Sequence, residues 1–278
     1  MTTVGDALVA ARSLGVDRLD AQCLLAHHLR RPRSWLLTHD DDALLPDLAR
    51  RFDADCRRRL AGEPLAYVMG SWSFRDLPLA VSDAVLVPRP ETEGLVDWAL
   101  EVLAGALADR AGPEVADLGT GSGAIALAIA RDCPRARVTA TDASPAALAV
   151  ARANGNALRL PVRWCLGSQG DWWQPLGGAT FDLLVSNPPY VAEGDPHLDA
   201  LRHEPVSALV AGSDGLEDLR QLCAGAARHL RPGAWLLLEH GHDQGEAVRQ
   251  ALTAGGLVDV STRRDLAGLD RCSGGRRA

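Results

Sequence analysis

Asp117-Leu118-Gly119-Thr120-Gly121-Ser122-Gly123 follows a short apolar run, Val115 to Leu118, and leads into the apolar segment Ala124 to Ala130. An apolar run that ends in three closely spaced glycines and resumes at helical spacing reads as strand, tight turn and helix. Glycine lets the main chain turn sharply and lets a ligand touch it. Free N–H groups at the start of a helix favour an anionic group. Gly119, Gly121 and Ala124 also satisfy the spacing of a dinucleotide fingerprint, so the loop alone leaves its ligand open.

Outward from this loop the pattern alternates. Arg137 to Thr141, Val162 to Leu166, Phe181 to Val185, Trp235 to Leu238 and Leu257 to Val260 read as strands. Pro145 to Asn154, Leu216 to Leu230 and Gln244 to Thr253 read as helices between them. Such alternation implies an α/β fold with a doubly wound, mainly parallel, Rossmann-like sheet. Ligands of such sheets sit beyond the carboxyl ends of the strands.

Three further motifs fall at those ends. Asp142 closes the strand after the loop, twenty-three residues past Gly119, where an acid can accept both hydroxyls of a ribose. It could instead cap the helix from Pro145, although Ser144 suits that role better. Asp171-Trp172-Trp173 follows the third strand. An indole there can cover an adenine while the acid takes its amino group, or the tryptophans can simply fill core under a loop.

Asn187-Pro188-Pro189-Tyr190, directly after Phe181 to Ser186, is the most specific signal in the chain. Two prolines fix the main chain and remove two N–H donors. Carbonyl oxygens remain as acceptors beside the Asn187 side-chain oxygen. That set suits an –NH₂ group with two hydrogens to donate, such as a planar amide or amine. An amide nitrogen is a weak nucleophile, and holding it in line with an electrophilic methyl can supply much of the barrier. The glycine loop, Asp142 and this motif together point to S-adenosylmethionine, with S-adenosylhomocysteine as product. Glu239-His240-Gly241-His242 has only a superficial likeness to a metal site and no second ligand cluster, so no metal is expected.

Upstream, Glu91 to Ala108 reads as an amphipathic helix. Ser73 to Leu79 and Ala80 to Val87 read as two strands that Pro88-Arg89-Pro90 ends. Leucines at helical spacing mark the first seventy residues, where His27-His28 and Asp40-Asp41-Asp42 read as helix face and capping or loop acids. The expected organisation is a small helical domain over 1–70, a β-hairpin linker over 71–90 and a methyltransferase domain over 91–278. The net charge of −7 disfavours extended nucleic-acid binding. The six cysteines form no C-x-x-C pair, and no leader or membrane span is apparent. A cytoplasmic protein with reduced thiols, acting as a monomer, is expected.

Taken together, these stretches resemble the HemK-type peptide chain release factor glutamine methyltransferases over nearly the whole chain. The resemblance runs through Arg18-Leu19-Asp20-Ala21, Leu24-Leu25-Ala26-His27 and Gly62-Glu63-Pro64-Leu65-Ala66-Tyr67. It continues in Val87-Pro88-Arg89-Pro90-Glu91-Thr92-Glu93, the glycine loop, Asn187 to Tyr190, Glu204-Pro205, Asp214-Gly215-Leu216 and Asp265-Leu266-Ala267-Gly268. It implies methylation of the glutamine side-chain nitrogen in the Gly-Gly-Gln loop of bacterial class I release factors, with the N-terminal helices helping to dock the factor. By position it implies that Gly119, Thr120, Gly121, Ser122, Gly123, Asp142, Asp171, Trp172 and Asn187 hold the cofactor. Asn187, Pro188, Pro189 and Tyr190 are then the catalytic and glutamine-binding set, with Arg89 a substrate contact. The tail Arg271-Cys272-Ser273-Gly274-Gly275-Arg276-Arg277-Ala278 departs from the β-rich ending of that family, because Gly-Gly is a poor strand former; a short or frayed last strand is expected. A ribosomal-protein glutamine methyltransferase and a nucleic-acid adenine N6-methyltransferase share the chemistry. An NAD-dependent oxidoreductase is the rival of another class, and no hydride-transfer motif supports it.

Overall fold

A computed structural model describes residues 2–278, which form two compact units: one ends at Ser71 and the other is Trp72–Ala278. The first unit is helical. Helix α1 (Val4–Ser13) begins with a capping box in which Thr3 and Asp6 satisfy each other's backbone N–H. Helix α2 (Arg18–Leu29) is capped by Asp17, and α3 (Pro46–Leu60) and the short α4 (Leu65–Met69) follow. Val4, Leu24, Leu25, Phe52, Cys56 and Val68 form their common core.

Strands β1 (Ser71–Phe74) and β2 (Leu77–Ala80) make a hairpin. Its turn is Arg75-Asp76, with φ of 46° and 62°, as a two-residue turn that matches strand twist requires. The sequence placed the second strand at Ala80 to Val87. The turn lies earlier because Arg-Asp carries none of the glycine or asparagine that usually marks such turns, and residues 81–89 are loop. Phe74, Leu77 and Leu79 are buried in the core of the second unit, so the hairpin is built into that unit.

The rest alternates in chain order: α5 (Glu93–Ala104), β3 (Glu114–Leu118), α6 (Ala124–Asp132), β4 (Arg137–Asp142), α7 (Pro145–Leu158), β5 (Val162–Leu166), β6 (Phe181–Ser186), α8 (Glu217–His229), β7 (Leu230–Glu239), α9 (Gly245–Ala254), β8 (Leu257–Arg264) and β9 (Asp270–Arg277). The sheet order is β5-β4-β3-β6-β7-β9-β8, and only β9 runs against its neighbours. Leu183 and Val185 of β6 face one core layer with Leu95 and Ile125, while Leu184 faces the other with Leu219 and Leu222. Side chains alternate across a strand, so a strand buried on both faces is apolar throughout, as Phe181 to Val185 nearly is.

The glycine tail corrects the sequence expectation. Gly274 and Gly275 lie inside β9, which pairs with both β7 and β8. A Cβ on Gly274 would come within 2.5 Å of Leu237 and 2.8 Å of the Leu236 carbonyl. Glycine weakens an isolated strand, but here it lets the main chain approach a neighbour that no side chain could clear.

From β3 the chain winds through β4 to β5 at one edge, then returns to β6 on the other side of β3. The carboxyl ends of β3 and β6 therefore flank the point where winding reverses, the place where such sheets open a crevice.

Candidate active site

A cavity of about 530 Å³ opens at that crevice, entirely within the second unit. Gly119 to Ser122 of the glycine loop line it, while Gly123 lies outside the lining, against Leu127 and Trp164. Gly119, Gly121 and Gly123 have φ of 73°, 54° and 86°, a region that L side chains rarely adopt. Gly119 also carries the Trp172 ring, which a Cβ would meet at 3.0 Å. Beneath the loop, the fully buried Asp117 accepts from Thr120 Oγ1 at 2.6 Å and from the Ala126 N–H at 3.1 Å. Burial pushes its carboxyl up to about 7.

Asp142 lines the cavity at the end of β4. Its Oδ2 accepts from the Gly121 N–H at 2.8 Å and its Oδ1 from the Ser144 N–H at 2.9 Å. Ser144 caps α7 by accepting from the Ala147 N–H, which leaves Asp142 free of that duty. Burial raises the Asp142 pKa. Trp172 is held as a wall by a 2.8 Å hydrogen bond from its Nε1 to Asp218. Asp171 also borders the cavity, but its Oδ1 already accepts from the Trp173 and Gln174 N–H groups and caps the turn Gln174–Leu176. Trp173 turns away and stacks on His229 at 4.8 Å.

Asn187-Pro188-Pro189-Tyr190 divides between wall and support. Asn187 and Pro189 line the cavity, and Pro188 is buried. Tyr190 is outside the lining; its hydroxyl donates to Glu239 at 3.3 Å and its carbonyl accepts from Gln244 Nε2 at 2.9 Å. Arg89 lines the cavity and pairs with the buried Glu204, whose other oxygen accepts from the Val87 N–H at 3.1 Å. One carboxylate thus pins the loop that carries Arg89.

Several supporting residues carry no signal in the sequence. Buried Asn154 accepts from the Ala80 N–H at 2.7 Å and donates to the Ala80 and Ser122 carbonyls, tying the hairpin to the glycine loop. Thr92 lines the cavity beside Asn187, and Glu239, outside the lining, is pushed up to about 7 by burial. Thr92 lies within the stretch Val87 to Glu93, and its partner Asn187, far along the chain, is set by packing of the start of α5 against the sheet. His240, from the stretch with a superficial likeness to a metal site, is buried against Ser273 Oγ at 2.8 Å. Among the described residues no three His, Cys, Asp or Glu side chains gather to hold a metal ion, and no helix is long and apolar enough to cross a membrane.

A chain of the bacterium Xylella fastidiosa (strain Temecula1), named release factor glutamine methyltransferase, is 51% identical to this one over 97% of both chains. The chain belongs to the release factor glutamine methyltransferase family. A relative of the same name from Bordetella pertussis is 49% identical over 94% of this chain and 95% of its own. Two family models match: "PrmC N-terminal domain" over residues 5–70 and "Methyltransferase small domain" over residues 92–211. A solved methyltransferase from Pyrococcus furiosus shares the fold, with a TM-score of 0.54 at 18% identity, covering 84% of this chain and all of its own. Membership of the release factor glutamine methyltransferase family agrees with a seven-stranded sheet whose two motif-bearing loops meet at one cavity.

Proposed function

We propose that this chain transfers a methyl group from S-adenosylmethionine to the side-chain nitrogen N5 of the glutamine in the Gly-Gly-Gln motif of bacterial class I release factors. The observation that carries this reading is the meeting of Asn187 and the glycine loop in one cavity, in a chain about half identical over its full length to relatives that bear this activity in their names.

The cavity's charge supports this cofactor. Asp142, Asp171, Glu217 and Asp218 line it, and Arg89, the one lining cation among the described residues, is paired with Glu204. An acidic wall favours a cationic sulfonium and disfavours the diphosphate of NAD. In this reading Gly119 to Gly123, Asp142 and Trp172 hold the cofactor, with Asp171 offering its remaining oxygen at the rim. When bound, the cofactor supplies an electrophilic methyl on a sulfonium and departs as neutral S-adenosylhomocysteine.

The protein's own part is to hold a neutral, planar amide in line. Asn187 Oδ1 and the Pro188 carbonyl accept the two amide hydrogens and keep the nitrogen lone pair turned toward the methyl; once the nitrogen carries the methyl, one of those hydrogens leaves as a proton to water. Tyr190, anchored on Glu239, stiffens the segment from behind. Arg89 contacts the release factor at the cavity rim. A protein with this substrate works in the cytoplasm, where termination takes place. The test is mass spectrometry of a release factor after incubation with the protein and S-adenosylmethionine. One added methyl on the Gly-Gly-Gln peptide is expected, absent when that glutamine is replaced. A factor that stays unmodified, beside a methylated ribosomal protein or adenine, would assign a different substrate.

A further inference from the structure

Three elements converge at the cavity wall, where Asn187 and Thr92 are part of the lining and Glu239 lies outside it. Asn187 follows β6, Thr92 lies at the start of α5, and Glu239 ends β7. Asn187 Nδ2 donates to Thr92 Oγ1 at 3.2 Å, and no hydrogen bond among the described residues uses Asn187 Oδ1. Thr92 is 4% exposed and Glu239 1%. Glu239 Oε1 accepts from Tyr190, and Oε2 has no hydrogen-bond partner. The Thr92 hydroxyl still lies near enough to favour the Glu239 carboxylate.

A hydroxyl has one proton and two lone pairs. A carboxyl oxygen on one side, most strongly when ionised, draws the proton and turns the lone pairs away. Thr92 then presents an acceptor to Asn187, and only the –NH₂ end of the Asn187 amide can meet it. The two ends of an amide are nearly the same shape, so without such a neighbour either orientation fits. Their chemistry is opposite: one end accepts hydrogens and the other donates them.

We propose that Thr92 and Glu239 are positioning residues that lock the Asn187 amide with its oxygen toward the cavity, so that the site receives an –NH₂ group and repels a carbonyl presented in its place. The proposal rests on the reading that Asn187 receives the substrate amide. A reversed Asn187 sets donor against donor, leaving both unpaired in a buried site.

The experiment uses the full chain with Thr92→Val, which keeps the shape and removes the hydroxyl, and Thr92→Ser, which restores the hydroxyl. Turnover on a release factor, S-adenosylhomocysteine affinity by calorimetry, and hydrogen exchange of the Asn187 side-chain –NH₂ by NMR are measured for each. Thr92→Val is expected to lower kcat about tenfold, the loss of roughly one oriented hydrogen bond, while cofactor affinity stays within about twofold. The Asn187 –NH₂ protons should lose protection, and Thr92→Ser should recover both kcat and protection. The proposal is overturned if Thr92→Val turns over at the unmodified rate, if Thr92→Ser is as slow as Thr92→Val, or if cofactor affinity falls in step with kcat. The exchange measurement needs no substrate. A protein that leaves release factors unmethylated but shows Asn187 protection dependent on Thr92 would refute the assigned substrate and retain the lock.

Discussion

Replacing Asn187 with alanine removes one acceptor and leaves the glycine loop, Asp142 and Trp172 in place. Cofactor affinity should therefore survive while methyl transfer falls by about 10²–10³, the usual scale for deleting an aligned polar group at a reacting centre. Calorimetry with S-adenosylhomocysteine beside single-turnover kinetics checks this. An Asn187→Ala protein that turns over near the normal rate would mean the amide is held elsewhere. Glu239 yields a separate prediction. Burial, opposed by Thr92, Arg271 and Tyr190 and reinforced by Glu91, pushes it up to about 7. A carboxyl whose folded pKa is raised stabilises the fold fully below its unfolded pKa, and that contribution is lost as pH rises through about 7. Glu239→Gln should flatten the fall in thermal stability between about pH 5 and pH 8 by at most roughly 3 kcal/mol. Asp117, also raised to about 7, titrates in both proteins, so the difference between their curves isolates Glu239. Equal slopes would show that Glu239 does not carry the titration. The place of Asn187 and Asp142 at the cavity was legible because glycines and prolines mark their neighbourhoods. Thr92, Asn154 and Glu239 were not, since their partners lie far along the chain and only packing introduces them.

At the scale of elements, legibility followed the local pattern of apolar residues and turn signals. Strands β3 to β6 and β8 are apolar or alternating runs between turns, and their positions follow from that pattern. The hairpin turn was misplaced because Arg75-Asp76 adopts positive φ without the residues that announce it. Strand β9 was undervalued because its glycines count against it locally while serving a contact across the sheet. That contact can be tested. Gly274→Ala forces a methyl onto Leu237 and the Leu236 carbonyl, whereas Gly178 has nothing within 4 Å of its would-be Cβ. Overpacking of this kind costs about 1–3 kcal/mol, so Gly274→Ala should lower Tm by several degrees and Gly178→Ala should not. Matching melting curves for the two variants would mean that β9 gives way without cost.

On the scale of the whole molecule, the cavity draws all its lining from residues 84–221, within the second unit. Trp72–Ala278 alone should therefore bind S-adenosylhomocysteine as the full chain does, since every contact proposed for the cofactor is retained. Methylation of an intact release factor should weaken through a raised KM, because the helical unit is the part matching the family's N-terminal domain. Steady-state kinetics on whole factor and on a short Gly-Gly-Gln peptide separate the effects; equal loss on both would deny the helices a docking role. The strand order has a consequence of another kind, for synthesis. β8 leaves the ribosome before β9, yet β9 is the strand that joins it to β7. Until β9 emerges, β7 has one open edge and β8 has no partner, and unpaired edges invite pairing with other chains. The nascent chain thus passes through an interval in which its sheet is nearly whole but unclosed, and slow translation between codons 257 and 277 would lengthen that exposure.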